Sequence, residues 1–166
     1  MRSAILALSL GACVLVTGCG RSSDKTVTIP AKDGNVTISG SGNGEHMTIK
    51  SADGTAVMDI NPNGGVHAVM PDFAPLYPGA NVTSSIGGAN PNGSKGAQVT
   101  FTVNAAPADV IAFYKQKSDA AGLAQTVNAD VNGTVMFEAG KGKKSEVVSA
   151  TKSGNSTQVS VVWGSD

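Results

Sequence analysis

The stretch Pro107-Ala108-Asp109-Val110-Ile111-Ala112-Phe113-Tyr114-Lys115-Gln116-Lys117-Ser118-Asp119-Ala120-Ala121-Gly122 carries the one strong helical pattern in the chain. Pro107 suits a first helical turn, Asp109 complements the positive end of the helix dipole, and Gly122 stands where a left-handed C-terminal cap belongs. Between those limits Val110, Phe113, Tyr114, Lys117 and Ala121 fall on one helical face, with Ile111 beside them. The spacing predicts a helix that lays this face, and the Phe113 ring with it, onto a sheet.

Outward from the helix the period changes from 3.6 to 2. Residues 82–86 and 97–103 precede it, and residues 125–131, 135–139, 145–151 and 157–163 follow it, each alternating apolar with polar. Turn pairs such as Asn132-Gly133 and Gly154-Asn155 separate them. Further toward the N-terminus the pairs Val27 and Ile29, Val36 and Ile38, Met47 and Ile49, Met58 and Ile60 recur between turns such as Asp33-Gly34 and Asp53-Gly54. A four-stranded antiparallel meander is the plain reading, and the first coils of a β-solenoid are the alternative. Either way a stripe this narrow calls for another layer. The predicted fold class is α+β. A Gly-rich β-meander over 26–64 is followed by a Pro/aromatic connector over 65–80. An α+β domain over 81–166 then forms an antiparallel sheet with one packed helix.

Within the connector, Pro71, Pro75 and Pro78 alternate with Phe73, Leu76 and Tyr77. Prolines fix φ and remove backbone donors, so this segment is extended. Phe73, Leu76 and Tyr77 are expected to strap onto their own domain, the alternative being a Pro-rich ligand for a partner groove. Lys141, Lys143 and Lys144 read as a solvated turn, the alternative being a second partner surface able to meet anionic lipid or cell-wall polymer.

The extreme N-terminus places Arg2 before an apolar run from Ala4 to Val16, which is the length of a signal-peptide core and too short for a helix of about 20 residues spanning a bilayer. It ends in Val16-Thr17-Gly18-Cys19. These four residues resemble the bacterial lipobox, with Val16 where Leu is commonest. The resemblance implies cleavage after residue 18 and diacylglycerol on the Cys19 sulfur, and the small, polar and charged composition of Gly20 to Lys25 makes 19–25 a tether. Gly20, where Asp would favour inner-membrane retention, implies the outer membrane facing the periplasm in a Gram-negative host. Tyr77-Pro78-Gly79-Ala80 and Val110-Ile111-Ala112-Phe113-Tyr114-Lys115 are similar to small bacterial envelope domains, a resemblance that brings no catalytic residues with it.

Composition narrows the function classes. With 12 basic and 12 acidic residues, and Arg2 removed with the signal, the mature chain is near neutral and nothing points to nucleic acid. Cys13 leaves with the signal and Cys19 is consumed by lipid, so no thiol is left for disulfide or metal chemistry. His46 and His67 lie far apart in sequence without metal-ligand spacing, and no Gly-x-Ser-x-Gly elbow is present. The carboxylates are scattered singly. Asp109 suits the helix start, while Glu138 and Glu146 flank the Lys141 turn in an arrangement that suggests cross-strand ion pairs. The expected function is therefore a non-enzymatic, lipid-anchored envelope lipoprotein that binds or scaffolds an envelope protein or cell-wall polymer, with no cofactor, metal or catalytic residue. The alternative is a lipid-anchored cell-wall or carbohydrate hydrolase, using two carboxylates that only the fold brings together.

Overall fold

A computed structural model describes residues 25–32, 34–40, 46–60 and 69–166. The elements run β1 (Lys25–Ala31), β2 (Gly34–Gly40), β3 (His46–Ser51), β4 (Gly54–Ile60), β5 (Asn81–Ala89), β6 (Lys95–Val103), α1 (Pro107–Ala120), β7 (Ala124–Val131), β8 (Thr134–Lys141), β9 (Lys144–Ser153) and β10 (Ser156–Ser165). All ten strands belong to one antiparallel sheet in the order β1-β2-β3-β4-β5-β6-β10-β9-β8-β7.

That single sheet corrects the α+β expectation. The architecture is sheet-dominated, with one helix, and the N-terminal strands are not a separate meander. The reason is an edge. A four-stranded meander would leave the outer hydrogen-bonding groups of β4 unpaired, and β5 satisfies them along its length, from Thr55 opposite Ala89 to Ile60 opposite Ser84. The connection between β4 and β5 hides this pairing in the sequence.

The helix ends as its sequence dictates. Gly122 takes φ 71°, its N–H bonds Asp119 O at 3.0 Å, and Leu123 N–H bonds Ser118 O at 2.9 Å. This is a Schellman closure, and Leu123 just beyond it is buried. Between β7 and β8, Asn132 and Gly133 both adopt positive φ, at 52° and 80°, which suits a two-residue hairpin turn.

The helix packs on β7, β8 and β9, and the segment 69–80 runs over the same face of the sheet. Beneath them lie Val99 and Phe101 of β6, Val159 and Val161 of β10, Val148 of β9 and Phe137 of β8, all fully buried. The buried helical residues are Val110, Ile111, Tyr114 and Ser118. The predicted face is thus rotated. Tyr114 is the fully buried ring, Phe113 is half-buried beside it, and Ala121 is exposed.

Register shows which side chains share a face. On the helix side one row crosses Val57, Gly87, Ala97, Trp163, Glu146 and Ala139. The neighbouring row, on the helix-free side, crosses Val27, Ile38, Ile49, Ala56, Gly88 and Gly96. In β6 and β8–β10 the core-forming apolar positions face the helix. In β1–β4 most apolar positions face the other way, and the helix-side positions are rich in threonine and serine, such as Thr28, Thr37, Ser39 and Thr48. The sheet changes its apolar face partway across.

Glycine marks the crossing. A Cβ on Gly96 would stand 2.8 Å from the carbonyl oxygen of Trp163, whereas one on Gly164 would meet only the Ser145 hydroxyl at 3.6 Å. Gly96→Ala is expected to cost about 1–3 kcal/mol through a forced backbone shift. Gly164→Ala is expected to be neutral or stabilising by about 0.4–1 kcal/mol, since alanine restricts the unfolded chain. Thermal melts of the two variants check this, and equal midpoints would refute the close strand approach.

Candidate functional site

The helix-side row from Val57 to Glu146 builds the site. Gly87 has no side chain and Ala97 only a methyl, so the sheet surface beside the large Trp163 is left unfilled. The result is an apolar recess of about 240 Å3, walled by Val57, Val69, Ala97 and Trp163, with Thr55 and the exposed Lys95 also lining it. Phe73 holds the indole in place edge to face, its ring centre 6.4 Å away.

Trp163 is buried, and its Nε1–H has no hydrogen-bond partner. An indole nitrogen can only donate, so this donor is satisfied only if an acceptor is brought to it.

Next to Trp163 in the same row, on β9, is Glu146. It is fully buried at 0% exposure, and Ser118 Oγ donates to its Oε1 while Oε2 has no partner. Burial pushes the carboxyl up to about 8, so the neutral acid dominates at pH 7. Tyr114 completes the cluster. Its hydroxyl donates to the carbonyl oxygen of Pro75 at 2.9 Å, tying helix to strap, and the phenol is pushed well above its ordinary value by burial and then by the charge of Glu146. The cluster thus offers an unpaired indole donor and an unpaired carboxyl oxygen on adjacent strands, inside an apolar interior.

Residues 81–162 are similar to a family described as START domain-like. No curated protein and no solved structure matches the chain. The matched stretch runs from β5 into β10 and contains α1, Ser118 and Glu146, while β1–β4, the strap and Trp163 lie outside it.

Cys19 and His67 lie outside the described residues. His46 interacts with the Thr48 hydroxyl at 3.3 Å. Phe73 is buried, and Leu76 and Tyr77 pack against the core, with Tyr77 edge-on to Phe113 at 5.0 Å. These three form a strap on their own domain. Lys141, Lys143 and Lys144 ring a shallow hollow with Leu123 and Asp166, and Lys143 pairs with the Asp166 carboxylate. That bond and one from Ser94 hold Asp166 below its usual range.

Glu146 corrects the expected ion pair. Its register partner is Ala139 and that of Glu138 is Val147, so the two glutamates stand on opposite faces. Sequence reasoning missed Glu146, Ser118 and Trp163 as a group. The signal was present in the phase of the alternation, because Glu146 keeps step with the buried Val148 and Ala150, and Trp163 with Val159 and Val161. Among the described residues, no group of three or more His, Asp or Glu could hold a metal, and no helix is long and apolar enough to cross a membrane.

Proposed function

We propose that the chain is a cell-envelope lipoprotein, anchored through Cys19, that binds a small ligand in the recess beside Trp163 without transforming it. The observation that supports binding is an apolar recess walled by Trp163, a buried residue whose indole N–H has no partner in the folded chain. Leaving such a donor unpaired costs about 1–3 kcal/mol, which an acceptor would recover if the Trp163 ring shifts as a ligand enters. Similarity to a START domain-like family favours the same reading, since such domains are typically ligand binders. The ligand this chemistry suits has an apolar body and one hydrogen-bond acceptor, and Lys95 favours a negative charge on it. In a Gram-negative host the anchored domain faces the periplasm from the outer membrane, within reach of envelope proteins and cell-wall polymer.

Octanoate is a suitable probe, and Trp163 is the only tryptophan in the chain. Its indole N–H resonance is expected to shift saturably on titration, and Gly87→Leu, which fills the recess, is expected to abolish the shift. An indole resonance unmoved by octanoate and by apolar amides of similar size would sink the reading. Anchoring has its own test. Cys19→Ser is expected to move the protein out of the mature membrane-bound pool, as soluble protein or uncleaved precursor. A Cys19→Ser protein still membrane-bound with residue 19 as its N-terminus, by mass spectrometry, would refute the anchor.

A further inference from the structure

The helix-free face of β1–β4 is apolar and nothing among the described residues covers it. Register puts Val27, Ile29, Val36, Ile38, Ile49 and Met58 on that face. Val27 is 54% and Ile29 49% exposed, and the other four are half-buried. The opposite face of the same strands carries threonines and serines, so the four strands form an amphipathic sheet turned away from the protein's own core. Exposed apolar patches of this continuity mark interaction surfaces.

Two observations select the occupant. Lys25, where β1 begins, lies six positions beyond Cys19. A fully extended segment of that length spans at most about 20 Å, so a lipid on Cys19 would hold β1 within that distance of the bilayer surface. The only charged side chain on this face of β1–β4 among the described residues is Lys25, at the end next to the anchor. A cation at the rim of an apolar face is the arrangement by which amphipathic elements lie in an anionic lipid interface.

We infer that β1–β4 rest with their helix-free face on the lipid bilayer that holds the anchor, so that the helix, the strap and the Trp163 recess point away from the membrane. This rests on the anchoring reading above.

The test uses protein purified from membranes and reconstituted in nanodiscs of phosphatidylcholine and phosphatidylglycerol, with gadolinium-chelating lipid added. Methyl resonances of Val27, Ile29, Ile38, Ile49 and Met58 are expected to relax several-fold faster than those of Val110 in the helix and Val131 at the far edge. Val27→Ser with Ile29→Ser, at exposed positions, is expected to erase that selectivity while the melting temperature stays within a few degrees. Equal relaxation of Val27 and Val131 with lipid present on Cys19 overturns the docking and leaves the anchoring intact. Absence of lipid on Cys19 in the same sample, by mass spectrometry, overturns both. Concentration-dependent shifts of the methyls of these five residues without nanodiscs, together with a doubled mass, would give this face to a second copy and overturn the proposal.

Discussion

Tyr114→Ala is expected to lower stability by about 3–5 kcal/mol, because it empties a fully buried aromatic position between helix and sheet. The same change removes the hydrogen bond to the carbonyl oxygen of Pro75, so the strap should loosen along with the helix. Tyr114→Phe isolates that second effect. It keeps the ring and is expected to cost about 1 kcal/mol for the lost bond. Phe113→Ala, at the half-buried neighbour that packs on Tyr77 and lies beneath the Lys117 ammonium, is expected to cost less than Tyr114→Ala. Urea unfolding of the three variants at constant pH decides the matter. If Phe113→Ala falls as far as Tyr114→Ala, the helix is rotated toward the face first read from its periodicity, and the cluster around Glu146 is misplaced.

A second large effect is expected from pH. The folded carboxyl of Glu146 titrates near 8 and an ordinary glutamate near 4.5. Between those values the native state holds a proton that the unfolded chain has released, so rising pH favours unfolding. The contribution is intact below about pH 4.5 and is lost progressively as pH rises through 8, at up to about 1.4 kcal/mol per pH unit for one proton. Glu146→Gln cannot ionise and still accepts from Ser118, so its stability should not fall over this window on account of residue 146. Wild type is expected to fall below the variant toward pH 9, and melting curves from pH 4.5 to 9 give the comparison. Parallel profiles would show that Glu146 reaches water or a cation in the folded protein.

The sequence patterns exposed the strands, the helix limits and the turns, because each depends on local chemistry. Asn132-Gly133 needs positive φ, Gly122 caps the helix, and alternation betrays a half-buried strand. Pairing is another matter. Nothing in Met58-Asp59-Ile60 says that its edge will be taken by a strand beginning at Asn81, since any antiparallel partner satisfies the same groups. Alternation also identifies two faces without saying which one is covered. Val27 and Val159 sit in similar local patterns, yet one faces away from the core and the other lies at its centre. In the candidate site, Glu146 stood in phase with buried valines, and its charge argued for the surface until burial showed the carboxyl to be neutral. On the helix, Ser118 rather than Lys117 turned out to be the inward residue, because the buried arc centres on Ile111 and Tyr114.

The place of β10 has a consequence for how the chain acquires its shape. β10 lies between β6 and β9, so among the described residues the block β1–β6 and the block β7–β9 join in the sheet only through it. Its pairing with β9 is a local hairpin, but its pairing with β6, from Thr157 opposite Val103 to Ser165 opposite Lys95, joins residues far apart in sequence, and such contacts form late and slowly. A chain delivered N-terminus first would therefore present two unjoined half-sheets, each with a bare inner edge, until residues 156–165 emerged. Assembly of the whole sheet would then resemble the closing of a zip by its final strand, and any factor that shields strand edges would matter most in the interval before that strand arrives.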